Sequence, residues 1–455
     1  MVIKAINPTT GETIKEYEEM PPEEVKRAIE QSHEAFMGWR KTSFAERATQ
    51  MKKVAQILRD KVEDYAKLMA QEMGKPITGG RAEVEKCAWV CDYYANNAEK
   101  LLQQEAVNTD ASKSFVTFQP LGVILAVMPW NFPLWQVFRC AAPTLMAGNT
   151  VVLKHASNVP GCALALQDIF HKARVPANIF TTLLVSSSQV DAIIGNPLVK
   201  AVTFTGSTPA GRAIAKKAGE MLKKSVLELG GSDAYVILED ADIEAAAAVC
   251  AASRLTNSGQ SCVAAKRFVV VGSRKEEFEE LFVRQMQAAK MGDPVEEDTV
   301  VGPLARHDLR DYLHQQVLKS IEKGARCLLG GNVPAGRGAF YPPTVLTNVK
   351  RGMPAYEEEL FGPVAAIISA KDEAEAIQLA NDTEFGLAGA IFTKDVAKGE
   401  RIAVDELEVG CCFINALVKS DPRLPFGGVK ESGYGRELSH YGIKEFVNIK
   451  TISIK

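Results

Sequence analysis

The chain has 455 residues, a length that suits about three domains and exceeds one simple core. Its 53 Lys and Arg against 56 Asp and Glu leave a net charge of −3, with no basic block to mark a nucleic-acid partner. Nothing in it resembles a signal peptide or a membrane helix, and its nine scattered cysteines and six isolated histidines give neither a disulfide framework nor a zinc pattern. A reducing cytoplasm, no membrane and no metal are expected.

Helices come first. The segment 21–39 sets Val25, Ala28, Ile29, Ser32, Ala35, Phe36 and Trp39 on one helical face. A capping box, Ser43 to Glu46, opens a second helical run whose stripe continues through Met51, Val54, Leu58, Val62, Tyr65 and Met69. From about residue 114 the period changes. SFVTFQ (114–119) alternates as a half-exposed strand, and LGVILAVMPW (121–130) reads as a buried strand entering a loop. Strands at 150–154, 180–185 and 200–206 then alternate with helices at 160–173, 188–194 and 208–218, the pattern of a parallel sheet covered on both faces. A second series follows: strands at 234–238, 267–272, 365–370 and 389–393, with helices at 241–255, 274–290 and 373–380. The final alternating segment EFVNIKTISIK has nothing after it to pair with, so a terminal edge strand offered to another subunit is expected.

Three residues stand out chemically. Cys262 lies in TNSGQSCVAAKRF, a small and polar loop, whereas Cys250 sits inside an apolar helical run. Two readings are open for it: an inert small hydrophobe, the commoner fate of a single cysteine, or a nucleophile that meets substrate. Glu228, between Leu227 and Leu229 at a strand end, is either a solvated terminus or a desolvated carboxyl with a raised pKa suited to a general base; Gly230 and Gly231 favour close approach of a ligand. Asn131, enclosed by Trp130, Phe132 and two prolines, is either a self-satisfied turn residue or an amide donor aimed at an oxyanion. For a nucleotide, Lys154 and Gly206-Ser207 end buried strands where parallel sheets bind ligands, though no dinucleotide fingerprint or phosphate-loop lysine accompanies them.

In chain order stand PWNFP (129–133), VLKHAS (152–157), FTGS (204–207), LELGG (227–231), GQSC (259–262), EELFGPV (358–364) and PFGGVKESGYGRE (425–437). Together, over essentially the whole chain, they resemble the aldehyde dehydrogenase superfamily, and most of all its short succinate-semialdehyde type. The resemblance implies an α/β fold with a Rossmann-like cofactor-binding domain (1–110 and 122–230), a second α/β catalytic domain (231–430) and a small β oligomerisation arm (111–121 and 436–455) in a homodimer or homotetramer. It makes Cys262 the nucleophile, Glu228 the general base, and Asn131 with the Cys262 N–H the oxyanion hole. It puts Lys154 and Glu359 on the cofactor riboses, Gly206 and Ser207 near the pyrophosphate, Phe361 at the nicotinamide end and Trp130 among the cofactor-binding residues.

Departures from the family pattern sharpen the expectation. Ser157 stands where NAD-preferring members carry Glu, so NADP is the expected cofactor, with NAD as an alternative. His155 replaces the usual proline, with no function attached. Trp135, Arg139, Ser261 and Ser420 fall where the family builds its aldehyde tunnel, and an arginine with two hydroxyls suits a carboxylate tail such as that of succinate semialdehyde; the alternative ties Arg139 to a structural carboxylate. Val263, Ala264 and Ala265 follow Cys262, so no cysteine neighbour is there to form a switching disulfide. A non-catalytic relative, a coenzyme A-acylating enzyme and a cofactor-free hydrolase are the rivals. Retention of Cys262, Glu228 and Asn131 speaks for oxidation followed by hydrolysis, and other semialdehydes or simple aldehydes are the alternative substrates.

Overall fold

A computed structural model describes residues 2–455. The first helix, Pro22–Trp39, buries Val25, Ala28, Ile29, Ser32, Phe36 and Trp39, and Ala35 is half-buried beside them. Both halves of the capping box form: the Glu46 N–H donates to Ser43 Oγ at 3.2 Å, and the Ser43 N–H to the Glu46 carboxylate at 2.7 Å. The stripe that follows is divided between two helices. Phe44–Asp60 ends at Lys61, whose φ of −122° and ψ of 22° interrupt the helical ladder, and Val62–Met73 begins anew. Both rods pack on a 25-residue helix, Ile77–Leu101, through one apolar cluster that contains Met51, Leu58, Tyr65, Met69, Val84 and Cys91.

Five parallel strands form the first sheet, in the spatial order Lys224–Glu228, Val199–Thr205, Val123–Met128, Thr150–His155 and Phe180–Thr182. Val123–Met128 is buried at every position, as a central strand covered on both faces must be. The chain builds outward from this strand to Phe180–Thr182, then returns to place Val199–Thr205 on its other side. That reversal opens a crevice at the carboxyl ends of Val123–Met128 and Val199–Thr205, the place where such sheets bind ligands.

The second sheet has seven strands in the order Arg326–Leu329, Thr344–Thr347, Val364–Ala370, Arg267–Val271, Ala234–Ile237, Ala388–Phe392 and Cys411–Ile414. Only the first pair is antiparallel. The chain then returns to the first sheet, where Gly433–Tyr434 pairs antiparallel with Glu228 and Leu227.

The C-terminal expectation needs correction within the chain. Val447–Ile454 pairs antiparallel along its whole length with Lys113–Pro120, from Val447 opposite Pro120 to Ile454 opposite Lys113. Glu105–Ala106 covers the far side of Lys113–Pro120, so the terminal strand keeps one open edge. Nor does Lys113–Pro120 alternate in burial; Ser114 to Pro120 are all half-buried. The N-terminal hairpin, Val2–Ile6 with Thr13–Glu18, has no counterpart among the sequence expectations.

Candidate active site

The Cys262 loop follows the helix Ile243–Leu255 and is built from an unusual turn. Asn257 (φ 54°), Ser258 (φ 57°) and Gly259 (φ 74°) are left-handed in succession. Such backbone persists at non-glycine residues only where the surroundings enforce it, and here they do. Arg254 Nη2 donates to the Gly259 carbonyl at 2.6 Å, the Gly302 N–H to Ser258 Oγ at 2.9 Å, and the Ala305 N–H to Gln260 Oε1 at 2.9 Å. A Cβ on Gly259 would collide with the Gly362 carbonyl, so this residue both permits the turn and lets the segment after Phe361 close against it. Lys266, fully buried, donates to the carbonyls of Ser261 and Cys262. The thiol of Cys262 is the part of this loop left open, half-exposed towards a cavity. Burial pushes it up to about 12, opposed by the charges of Lys266 and Arg139.

Asn131 reaches the same loop. Its Nδ2 donates to the Gln260 carbonyl at 3.1 Å, and Asn257 Nδ2 donates to the Asn131 carbonyl at 2.7 Å. The oxyanion donor expected from sequence therefore sits against the residues just before the nucleophile. Two groups to which the sequence reading gave no role hold its loop. The buried carboxylate of Glu83 accepts the N–H groups of Leu134 and Trp135, each at 2.9 Å, and is itself paired with the buried Lys75 at 2.8 Å. On the other side, His155 Nδ1 lies 2.8 Å from the Ala156 N–H nitrogen and 3.2 Å from the Met128 carbonyl, and Nε2 lies 2.8 Å from the Pro133 carbonyl. Burial pushes His155 down to about 4, so the ring is neutral.

Glu228 is buried, and neither carboxyl oxygen has a hydrogen-bond partner. Burial raises it well above the usual carboxylate range, and the nearby Glu437 adds to that while Arg139 opposes it. Gly427 makes room: a Cβ there would lie 2.7 Å from Glu228 Oε1, and its φ of +153° is itself open to glycine. Arg139 Nε contacts Glu437 Oε2 directly, and Arg139 Nη2 donates to Thr205 Oγ1 at 3.3 Å. Burial opposes the guanidinium charge, but Glu437, Glu228 and Cys262 together hold Arg139 above its ordinary value. Burial raises Glu437 as well, against the pull of Arg139. Glu437 has the direct contact with Arg139, whereas Glu228 has none, and burial favours its protonated form.

Arg139 is thus tied through Nε to Glu437, the kind of contact that the structural alternative named. It still lines a cavity of about 620 Å³ with Trp135, Ser261, Cys262 and Ser420, so four of the expected substrate-side residues do converge on the thiol. Glu228 does not line that cavity.

The residues expected to hold the cofactor do not line that cavity. Lys154, next to last in the strand Thr150–His155, is nine-tenths buried, with no hydrogen-bond or ion-pair partner among the described residues; burial alone lowers its pKa. Ser157 is exposed two residues beyond that strand. Ser207 precedes the helix Thr208–Glu220 without capping it, leaving the first N–H groups free for an anion. Trp130 and Phe361 meet edge to face at 5.7 Å between ring centres. Glu359 Oε1 accepts the Gly231 N–H at 3.1 Å and lies 3.5 Å from Lys266 Nζ, so Lys266 joins a cofactor-side carboxylate to the backbone of the nucleophile. A lysine without a partner and an uncapped helix start as donors, with a carboxylate as acceptor, fit a dinucleotide. Among the described residues no cluster of His, Cys, Asp and Glu is arranged to hold a metal ion, and no helix is long and apolar enough to cross a membrane.

The aldehyde dehydrogenase family model matches residues 1–452. A Mycobacterium tuberculosis protein named succinate-semialdehyde dehydrogenase [NADP(+)] 1 is 48% identical over 457 residues, with all of both chains covered. An Escherichia coli protein named succinate semialdehyde dehydrogenase for NAD(P)+ is 47% identical over 448 residues, 98% of this chain and 97% of that one. The crystal structure of succinic semialdehyde dehydrogenase from Streptococcus pyogenes with NADP+ superposes with a TM-score of 0.97 at 39% identity, covering 99% of each chain. With the sheets, the braced cysteine loop and the full-length match in agreement, this chain belongs to the aldehyde dehydrogenase family.

Proposed function

We propose that the chain oxidises succinate semialdehyde to succinate with NADP as the preferred acceptor and NAD as a weaker one. The observation that carries this is the Cys262 thiol opening into a cavity beside Asn131, with Ser157 exposed and Lys154 unpartnered on the cofactor side. The names of the relatives favour the same substrate and cofactor.

In this reading the Cys262 thiol passes its proton to water, the thiolate adds to the aldehyde carbon, and the resulting alkoxide is held by Asn131 Nδ2 and the Cys262 N–H. Each such donor is worth about 10²–10³ in rate. The bound nicotinamide supplies the hydride acceptor. Loss of hydride from the Cys262 adduct leaves a thioester, and Glu228, once deprotonated, takes a proton from the water that cleaves it. The acid leaves and the thiol is restored, two easier steps in place of one hard one. The high proton affinity of buried Glu228 makes its conjugate base effective in that role. Glu228 also favours water over coenzyme A as the acceptor of the acyl group. Lys154 and Glu359 take the ribose hydroxyls, Gly206 and Ser207 the pyrophosphate, Trp130 and Phe361 the nicotinamide end. Ser157 and Lys154 are free to meet a 2′-phosphate that a carboxylate at 157 would repel.

The domain division and assembly belong to the same proposal: cofactor binding by 1–110 and 122–230, catalysis by 231–430, and pairing through 111–121 and 436–455 into a dimer or tetramer in the cytoplasm. A cavity of about 620 Å³ exceeds what a four-carbon chain fills, which favours as second reading a broader NAD(P) enzyme for other semialdehydes or simple aldehydes. The test is the absorbance of reduced cofactor with a panel of semialdehydes and uncharged aldehydes, each with NADP and NAD. The highest kcat/KM is expected for succinate semialdehyde with NADP; no turnover of any aldehyde overturns the proposal.

A further inference from the structure

The Cys262 N–H has no acceptor among the described residues, yet the carbonyls on both sides of it are held. Lys266 holds them. Its Nζ donates to the Ser261 oxygen at 2.9 Å and also to the Cys262 oxygen, and the Ala264 N–H adds a bond of 3.2 Å to Ser261. The Ser261 oxygen and the Cys262 N–H belong to one peptide unit, which is trans, and a planar trans unit points its C=O and N–H in opposite directions. Fixing that oxygen on the ammonium therefore turns the N–H away from Lys266. Ser261 and Cys262 line the substrate cavity and Lys266 does not.

The anchor is itself fixed. Lys266 leads into the strand Arg267–Val271, and the N–H groups of Lys266 and Arg267 both donate to the Asp233 carbonyl at 3.1 Å. Its side chain is fully buried, with Glu359 Oε1 3.5 Å from Nζ. Burial lowers its pKa and Arg254 adds to that, while Glu359, Asp233 and Cys262 favour the charged form. An ammonium that binds a carbonyl in a dry setting makes a strong hydrogen bond and polarises the peptide unit, so the N–H at its other end becomes a better donor.

We propose that Lys266 is a positioning residue for the oxyanion, which aims the Cys262 N–H and strengthens it as a donor from behind the loop without touching substrate. The proposal rests on the reading that the Cys262 N–H and Asn131 hold the alkoxide.

Two cofactor-free reactions of Cys262 isolate this role. In acylation by 4-nitrophenyl acetate the thiolate adds to the ester carbonyl, a tetrahedral oxyanion forms, and 4-nitrophenolate leaves with the electron pair of its C–O bond to give a thioester. In alkylation by iodoacetamide the same thiolate displaces iodide from a saturated carbon, and no oxyanion develops. The ratio of the two rates at one pH therefore reads the oxyanion donors with the thiolate fraction divided out. That ratio is expected to fall about 10- to 100-fold in Lys266→Met and to recover in part in Lys266→Arg. Where Lys266→Met does not fold, Lys266→Gln, an uncharged donor, should show a smaller fall in the same direction. An unchanged ratio, whether both rates persist or both drop together, overturns the proposal. Asn131→Ala is the control for the reading beneath it: an unchanged ratio there would remove Asn131 from the oxyanion hole, and the Lys266 variants would still judge the backbone donor.

Discussion

Arg139 shows how a single side chain bears on the chemistry of its neighbours. It contacts Glu437 directly and not Glu228, whose burial favours the protonated form, and with Lys266 it opposes the burial that keeps the Cys262 thiol protonated. Without cofactor, the nucleophile should be quiet at neutral pH. Iodoacetamide should label Cys262 slowly at pH 7, and the rate should still climb roughly tenfold per pH unit above pH 9, because only the thiolate reacts. Peptide mass spectrometry reads this out, and a plateau by pH 9 would show a thiol far more acidic than its surroundings dictate. Ser157 carries the cofactor choice at the same scale. Ser157→Glu should lower kcat/KM for NADP by at least about tenfold and move preference towards NAD; unchanged ratios would locate the selectivity elsewhere. Residue types gave good guidance here, since Cys262, Asn131 and Glu228 are odd in their local sequence. The partner of Arg139 was not legible, because Glu437 lies 298 positions away and only the fold makes them neighbours.

Among the elements, strongly periodic segments were readable and braced loops were not. The stripe of Pro22–Trp39 and the Ser43 capping box carry their geometry in local spacing. The break at Lys61 does not, since helical spacing continues across it while tertiary packing redirects the chain. Nor do Lys75, Glu83 and His155, which act by holding the Asn131 loop from two other elements. A Lys and a Glu eight residues apart and a histidine at the end of a buried strand were the available signals. His155 gives a measurable consequence. With a folded pKa near 4 against an ordinary 6.5, its neutral form contributes stability that is complete above about pH 6.5 and is lost as pH falls through 4. His155→Phe should cost about 1–3 kcal/mol at pH 7 by leaving the Ala156 N–H and Pro133 carbonyl unpaired. It should also flatten the loss of stability between those two pH values. Urea unfolding across pH checks both; an equally steep acid limb would mean that other groups dominate it.

At the level of the whole molecule, strand–helix alternation made two α/β sheets visible in advance, but not the returns that join them. The segment 425–437 leaves the second sheet to pair with the Glu228 strand, and the terminal strand folds back on Lys113–Pro120. Such long-range pairings leave no periodic trace. The outer edge of Val447–Ile454, with Ile449 61% exposed, remains available for pairing between subunits. Light scattering should show a dimer or tetramer, and Ile449→Lys should weaken it, because an edge lysine discourages strand pairing; a wild-type monomer would remove that role from the strand.

All of these scales meet at one sulfur. Glu228→Gln, mixed rapidly with NADP and succinate semialdehyde, should release one burst of reduced cofactor per active site and then stall, with the acyl group found on Cys262 by mass spectrometry of the quenched protein. Steady turnover with no burst and no acylated Cys262, or undiminished activity in Cys262→Ala, would contradict covalent catalysis at this residue.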